Sequence, residues 1–148
     1  MPDEETISRA RADEREGKSP STQAGEFVRE EMEHIRHGEH GARSPEQAIA
    51  IGLSKARRAG VKLPPPKQGR QRTKRQAKRD LAKGRSASRR KTSLTRSRAT
   101  KRALKRESRR AASKQALSRH SKQVAKRRSA RSRSAAAKKA ARTRRRLR

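Results

Sequence analysis

Three histidines spaced three residues apart, in HIRHGEH at 34–40, form the pattern most suggestive of metal chemistry. His34 and His37 would share a helix face, and His40 could reach back from the following loop. Imidazole is a common zinc ligand, but this spacing is not a recognised zinc pattern, and histidines at a helix C-terminus also interact favourably with the helix dipole. We therefore predict no metal and no cofactor, and keep His34, His37 and His40 as the alternative metal site.

Lysine and arginine in the second half of the chain are the other candidates for chemistry. Residues 1–69 hold twelve acidic and twelve basic residues, whereas the 34 Lys and Arg residues after Gly69 face only Asp80 and Glu107. The whole net charge of +32 therefore arises after Gly69. Guanidinium and ammonium groups bind phosphate oxygens by charge and carry no base information. This asymmetry predicts a polyanion partner bound with little sequence preference.

Duplex DNA is favoured over RNA as that partner, because Lys and Arg on an Ala-rich background resemble linker-histone and bacterial histone-like tails. Aromatic residues, which single-strand binders use for stacking, are absent from this segment. The Ser-Arg pairs near Ser129, Ser132 and Ser134 favour RNA instead, and RNA stays open as an alternative. The side chains predicted to contact phosphate are Arg70, Arg72, Lys74, Arg75, Lys78, Arg79, Arg89, Arg90, Lys91, Lys101, Arg102, Lys105, Arg106, Arg109, Arg110, Lys126, Arg127, Arg128, Arg131, Arg133, Lys138, Lys139, Arg142, Arg144, Arg145, Arg146 and Arg148.

Enzyme chemistry has little support in the sequence. It contains no nucleophile elbow and no phosphate-binding glycine loop, and zero cysteines exclude disulfides and thiolate metal sites. We predict a protein that is not an enzyme, with no catalytic residue and no small-molecule substrate. The start MPDEETISRA is acidic, and no apolar run approaches a membrane span, so we expect a cytoplasmic protein.

Capping residues predict where the helices that must position these groups begin and end. Residues 1–18 read as a short solvated helix with Gly17 as its stop. Ser19-Pro20 begins the next helix and Gly38 ends it. The capping-box pattern Ser44-Pro45-Glu46-Gln47 begins a third helix, and Gly60 followed by Val61 predicts a Schellman stop.

Helical spacing of apolar residues predicts a small helical hairpin over 19–62. Such a unit is marginal on its own, so self-association or a protein partner is expected. The predicted hairpin core is Phe27, Val28, Met32, Ile35, Ile49, Ile51, Leu53 and Val61.

Residues 63–69 contain three successive prolines and predict an extended hinge. Large apolar residues after Gly69 keep to no single helical face, so we expect no core in the basic arm, 70–148. Like-charge repulsion opposes its helix propensity. The predicted fold is mostly α: a small N-terminal helical hairpin plus a long basic arm that is disordered or partly helical, with no large core.

The stretch SPEQAIAIGLSKARRAG at 44–60 resembles a family of small basic bacterial proteins of unknown function. That resemblance implies a bacterial protein, for which DNA binding predicts a location at the bacterial nucleoid, and it transfers no catalytic residue. Together these features predict a non-enzymatic, largely sequence-independent, histone-like DNA-binding protein. The alternatives are an RNA-binding or ribonucleoprotein-associated basic protein, and a regulatory or assembly module whose hairpin binds a protein partner.

Overall fold

A computed structural model describes residues 2–86 and 93–146 of the chain. Two compact units divide it, Met1–Ser113 and Lys114–Arg148. A short 3-10 turn, Arg109–Ala112, ends the first unit. The α-helices of the described residues are α1 Glu4–Arg15, α2 Pro20–His37, α3 Pro45–Arg58, α4 Gln71–Arg85 and α5 Leu94–Lys105 in the first unit, and α6 Lys114–Arg127 and α7 Ala130–Arg146 in the second.

The predicted start signals of α2 and α3 are confirmed. The Ser19 hydroxyl accepts a hydrogen bond from the Thr22 amide, and the Ser44 hydroxyl accepts one from the Gln47 amide. In each helix a proline follows the capping serine, at a position where the missing N–H costs no helical hydrogen bond. These local contacts fix the two helix starts independently of tertiary packing.

The predicted stops of the same helices are confirmed as well. Gly38 ends α2 in the left-handed conformation, with φ at 84°. After α3, Gly60 has φ at 108°, and the Val61 amide donates to the Ala56 carbonyl at 3.1 Å. The Gly60 amide also donates, to the Arg57 carbonyl at 3.2 Å. The two bonds give partners to carbonyls at the end of α3, as in a Schellman motif.

α2 and α3 pack through small residues on α3. Ala48, Gly52 and Ala56 are buried and recur every fourth position, so they line one face of the helix. A Cβ built on Gly52 would lie 2.7 Å from Val28 Cα and 3.0 Å from the Phe27 carbonyl oxygen. The two backbones therefore approach so closely that only glycine fits between them.

This close approach decides which predicted core residues are buried. Phe27, Met32, Ile35 and Val61 are buried. The small-residue face of α3 occupies the centre of the α2–α3 interface, so its large apolar side chains lie at the margins. The half-buried members of the predicted core are Val28, Ile49, Ile51 and Leu53.

α1 also contributes to the core, although its composition suggested a solvated helix. Thr6 and Ala10 are buried, and Ile7 packs on the cluster formed by Ala10, Ala24, Phe27, Ala56 and Val61. An ion pair at 2.9 Å between Arg9 Nε and Glu26 Oε2 links α1 to α2 at the edge of this contact. Two buried side chains, Thr6 and Ala10, and the half-buried Ile7 hold a helix whose other residues are mostly polar.

The expectation of a long disordered or only partly helical basic arm is wrong. α4 packs on α3, where Ala77 and Asp80 are buried. A Cβ added to Gly84 would overlap the Arg57 carbonyl oxygen, so this helix pair also meets at backbone distance. The packing was missed because the buried residues of α4 are small or acidic and give no apolar periodicity.

Residues 104–112 complete the first unit. The Gly41 amide donates to the Leu104 carbonyl at 2.8 Å, and the Ala42 amide donates to the Ser108 carbonyl at 3.1 Å. Ala111 and Ala112 of the 3-10 turn are buried. Part of the segment predicted to have no core therefore contributes to the core of the N-terminal unit.

In the second unit, α6 and α7 bury no residue. They are nevertheless helical, because Ala, Arg, Lys and Gln are strong helix formers and their summed propensity outweighs repulsion between neighbouring charges. Within the described residues, no helix is long and apolar enough to cross a membrane.

Candidate nucleic-acid interface

The outward face of α4 carries a row of basic side chains. Successive spacings of three, four and four residues place them on one side of the helix, away from the side on which Ala77 and Asp80 are buried. All four are exposed. We call this row the α4 stripe: Arg72, Arg75, Arg79 and Lys83.

Asp80 anchors the opposite face of α4. Its carboxylate accepts hydrogen bonds from the Ser54 hydroxyl at 2.7 Å and from the Gln76 amide at 3.1 Å, and Arg58 Nε lies 3.6 Å away. Asp80 is only 1% exposed, so these contacts replace the hydrogen bonds with water that its carboxylate loses on burial. Docking through Asp80 turns the α4 stripe toward solvent.

Glu107, the other acid of the basic half, lies 3.7 Å from Arg43 of the loop between α2 and α3. Both acids after Gly69 therefore contact basic residues that precede it. Carboxylates of the basic half therefore neutralise few of its 34 basic residues.

α5 and α7 carry basic rows of the same kind. Helical spacing groups four side chains of α5 on one face, and all of them are exposed. On α7 the corresponding row extends over about 21 Å at 1.5 Å per residue. We call these rows the α5 stripe, Arg98, Lys101, Arg102 and Lys105, and the α7 stripe, Arg131, Lys138, Arg142 and Arg145.

Two bases of α7, Arg133 and Arg144, lie on the opposite side of the helix from the α7 stripe. Lys139 and Arg146 flank the stripe on its own side. α7 therefore carries arginines both in the stripe and opposite it. Variants of the two kinds can separate the effect of an arginine's position on binding from the effect of total charge.

α6 separates its residues more fully. Leu117 and Val124 are half-buried on one side, and the exposed Arg119, Lys122 and Lys126 lie together on another. As on α4, the basic side chains of this amphipathic helix form a face of their own.

The predicted phosphate-binding residues are almost all exposed where the structure describes them, with Lys74 half-buried. Arg89, Arg90, Lys91 and Arg148 lie outside the described residues. The sequence prediction selected local clusters of bases and therefore passed over single bases that lie on the basic faces of these helices. Reading the arm at helical spacing would have found them: Lys83, Arg98, Arg119 and Lys122.

A buried polar cluster lies between α2 and α3, away from the basic rows in sequence. Lys55 Nζ lies 2.8 Å from Glu31 Oε2 and 3.0 Å from Glu30 Oε1, and both glutamates are buried. Burial by itself lowers the pKa of Lys55, but its contacts with the carboxylates of Glu31 and Glu30 outweigh that effect and raise the pKa above its usual value. Lys55 is therefore held as a cation in the interior.

Two of the three histidines of the alternative metal site join this cluster. The rings of His34 and His40 lie 6.4 Å apart in an edge-to-face arrangement, and His40 Nε2 is 3.3 Å from Glu31 Oε1. Glu31, His34 and His40 bring their potential ligand atoms within 4.8 Å of one another. His37 is exposed on the side of α2 away from the α3 contact and is not part of this group.

Sequence comparison finds one family that is similar to part of the first half of the chain. A family model described as "Family of unknown function (DUF6496)" matches residues 19–68, about a third of the chain. The matched region contains α2, α3 and the prolines that follow, whereas the basic stripes lie outside it. Neither the curated proteins nor the solved structures yielded a match.

Proposed function

We propose that this protein binds duplex DNA without catalysis and with little sequence preference, through phosphate contacts of the α4, α5 and α7 stripes and of the basic face of α6. The observation that carries the proposal is the sorting of charge on α4. Arg72, Arg75, Arg79 and Lys83 share its exposed face, and the inward face is occupied by Ala77, Asp80 and Gly84. A row of cations fixed on a packed helix is preorganised for a row of phosphates.

The strength and salt dependence of such binding follow from the number of cations engaged. If the eight side chains of the α4 and α7 stripes each neutralised one phosphate, the logarithm of affinity would fall against the logarithm of salt with a slope of about −7. Binding would be tight in dilute salt and weak at high ionic strength.

The aromatic content favours a double-stranded ligand. Phe27 is the only aromatic residue of the Phe, Tyr and Trp class in the sequence, and it is buried in the core. Single-stranded nucleic acids are commonly held by bases stacked on exposed aromatic rings. A duplex presents its phosphates without needing such a platform.

Two double variants of the full chain test the contribution of the α7 stripe. One replaces Arg142 and Arg145 of the stripe with alanine, and the other replaces the off-stripe Arg133 and Arg144. Both remove two arginines from the same helix, so net charge and helix propensity match. Affinity for a short duplex is measured by fluorescence anisotropy over a series of salt concentrations.

We expect the stripe variant to lose about 1.8 from the magnitude of the salt slope, and the control to lose less than half of that. Equal losses would mean that the helix acts as a polycation without a defined face, and the stripe model would be wrong. Competition with structured RNA at equal phosphate concentration tests the nucleic acid. If RNA displaces the duplex DNA from the protein at lower concentration than competitor DNA does, the ligand is RNA and the DNA proposal is wrong.

A further inference from the structure

Glu31 is buried in the first unit, and its carboxylate receives no well-directed hydrogen bond from the described residues. It is 0% exposed, and neither of its oxygens has a hydrogen-bond partner among the described residues. Lys55 Nζ is 2.8 Å from Oε2 but lies off the direction of a hydrogen bond. A buried carboxylate normally receives directional bonds or a metal ion, so this group has unused capacity as a ligand.

His40 presents an imidazole nitrogen to the second oxygen of that carboxylate. Its Nδ1 lies 3.1 Å from the Gly41 carbonyl oxygen, and a carbonyl can only accept, so Nδ1 carries the proton. In the neutral ring Nε2 then has a lone pair, which faces Glu31 Oε1 at 3.3 Å. Two acceptors at this distance repel each other unless a proton or a metal cation lies between them.

The same arrangement is common around protein-bound zinc. A histidine that binds a metal usually donates its other ring N–H to a carbonyl or carboxylate, which fixes the tautomer and aims the free nitrogen at the ion. The Gly41 carbonyl fulfils this role for His40. His34 approaches from α2, and its side chain is only 15% exposed.

The geometry points to a transition-metal site formed by Glu31, His34 and His40, with zinc as the best-matched ion. Two imidazole nitrogens and one carboxylate oxygen suit zinc, cobalt or nickel better than magnesium or calcium, which prefer oxygen ligands. Water would complete a tetrahedral set. The potential ligand atoms all lie within 4.8 Å of one another.

Lys55 is the resident cation that a metal would have to displace. Its ammonium lies within 3.0 Å of Glu30 and Glu31 and 3.5 Å from His34 Nδ1. Metal and ammonium compete for Glu31, so removing the ammonium should strengthen metal binding. A purely structural ion-pair cluster predicts no stoichiometric metal binding by the natural protein, and a loss of stability in Lys55→Met because two buried carboxylates would be left uncompensated.

The main test is calorimetric titration of the full-length protein with Zn²⁺, with the visible spectrum of Co²⁺ as a second readout of coordination. We expect one ion per chain for the natural protein. His34→Ala and His40→Ala should each weaken binding by about tenfold or more. His37→Ala is the matched control, because His37 lies on α2 three residues from His34 but is exposed, and it should leave affinity unchanged.

Lys55→Met separates the metal site from a structural cluster. We expect tighter Zn²⁺ binding than in the natural protein and a larger rise in melting temperature on adding Zn²⁺. Circular dichroism before titration establishes that each variant is folded. Absence of stoichiometric binding, or an equal loss in His37→Ala, would overturn the proposal, as would weaker binding in a folded Lys55→Met variant.

Discussion

α4 and α7 are both rich in Lys, Arg and Ala, yet α4 packs against α3 and α7 buries no residue. Ala77, Asp80 and Gly84 give α4 one face without a base, at spacings of three and four residues. The side of α7 opposite its stripe contains Arg133 and Arg144 beside its alanines and has no acid. A highly basic helix can therefore join a core when one face is small, free of bases and supplied with a single carboxylate.

Gly84→Ala should have the largest effect, because the added methyl group would overlap the Arg57 carbonyl oxygen and force α4 away from α3. We expect a loss of unfolding free energy of about 3 kcal/mol, at the upper end of the usual cost of overpacking. Urea unfolding followed by circular dichroism measures it.

Gly25→Ala is the control for Gly84, since Gly25 lies within α2 and, apart from the adjoining backbone of that helix, no described atom would lie within 4 Å of its added Cβ. Alanine is the better helix former, so this variant should gain about 1 kcal/mol. A gain at both positions would show that α4 does not dock closely on α3.

Asp80→Ala should have the next largest effect. It removes the acceptor of the Ser54 and Gln76 hydrogen bonds from a buried site, and we expect a cost of about 2 kcal/mol in urea unfolding. Glu107→Gln removes the other acid of the basic half, whose partner Arg43 is exposed, and should cost less than about 1 kcal/mol. Equal costs would deny Asp80 its role as the anchor of α4.

The raised pKa of Lys55 predicts a smaller effect on stability, which is confined to alkaline pH. Its pKa is raised in the folded state from an ordinary value near 10.5, so the stabilisation is fully present below that pH. It is lost as pH rises through the higher folded pKa. Stability measured from pH 9 to 12 should fall more steeply in the natural protein than in Lys55→Met, whereas Lys138→Met, at an exposed lysine of α7, should follow the natural curve.

Ala136→Leu on α7 should have the smallest effect. Ala136 is exposed on the side opposite the α7 stripe, and leucine forms helix nearly as well as alanine. We expect the free energy of unfolding to change by about 0.5 kcal/mol or less, as for ordinary surface substitutions. Thermal unfolding followed by circular dichroism measures it. A large change would reveal a packed face on α7 and remove its contrast with α4.

Local signals in the sequence were sufficient to predict α2 and α3 with their ends. Ser19, Gly38, Ser44 and Gly60 act through bonds to residues within one helical turn, which a sequence displays directly. The docking of α4 could not be predicted in this way. It depends on Gly84 meeting the Arg57 carbonyl and on Asp80 meeting Ser54, and neither contact leaves a periodic apolar pattern.

The candidate sites were predictable to different degrees. Basic composition pointed to the exposed rows, but their grouping into stripes depends on helix formation, which like-charge repulsion was expected to oppose. The histidine spacing suggested His34 and His40. It could not indicate Lys55 or the burial of Glu31, because both result from the close packing of α3 on α2.

The hydrogen bonds from Gly41 and Ala42 to Leu104 and Ser108 also set an order of events during synthesis. α2 and α3 form from neighbouring residues soon after they are made, but the loop between them lacks these two acceptors until Ser108 has been added. Closing so long a stretch of chain carries an entropic cost that local helix formation does not. The family-matched region ends at residue 68, so it contains α2, α3 and their connecting loop but neither of the two carbonyls that accept hydrogen bonds from that loop.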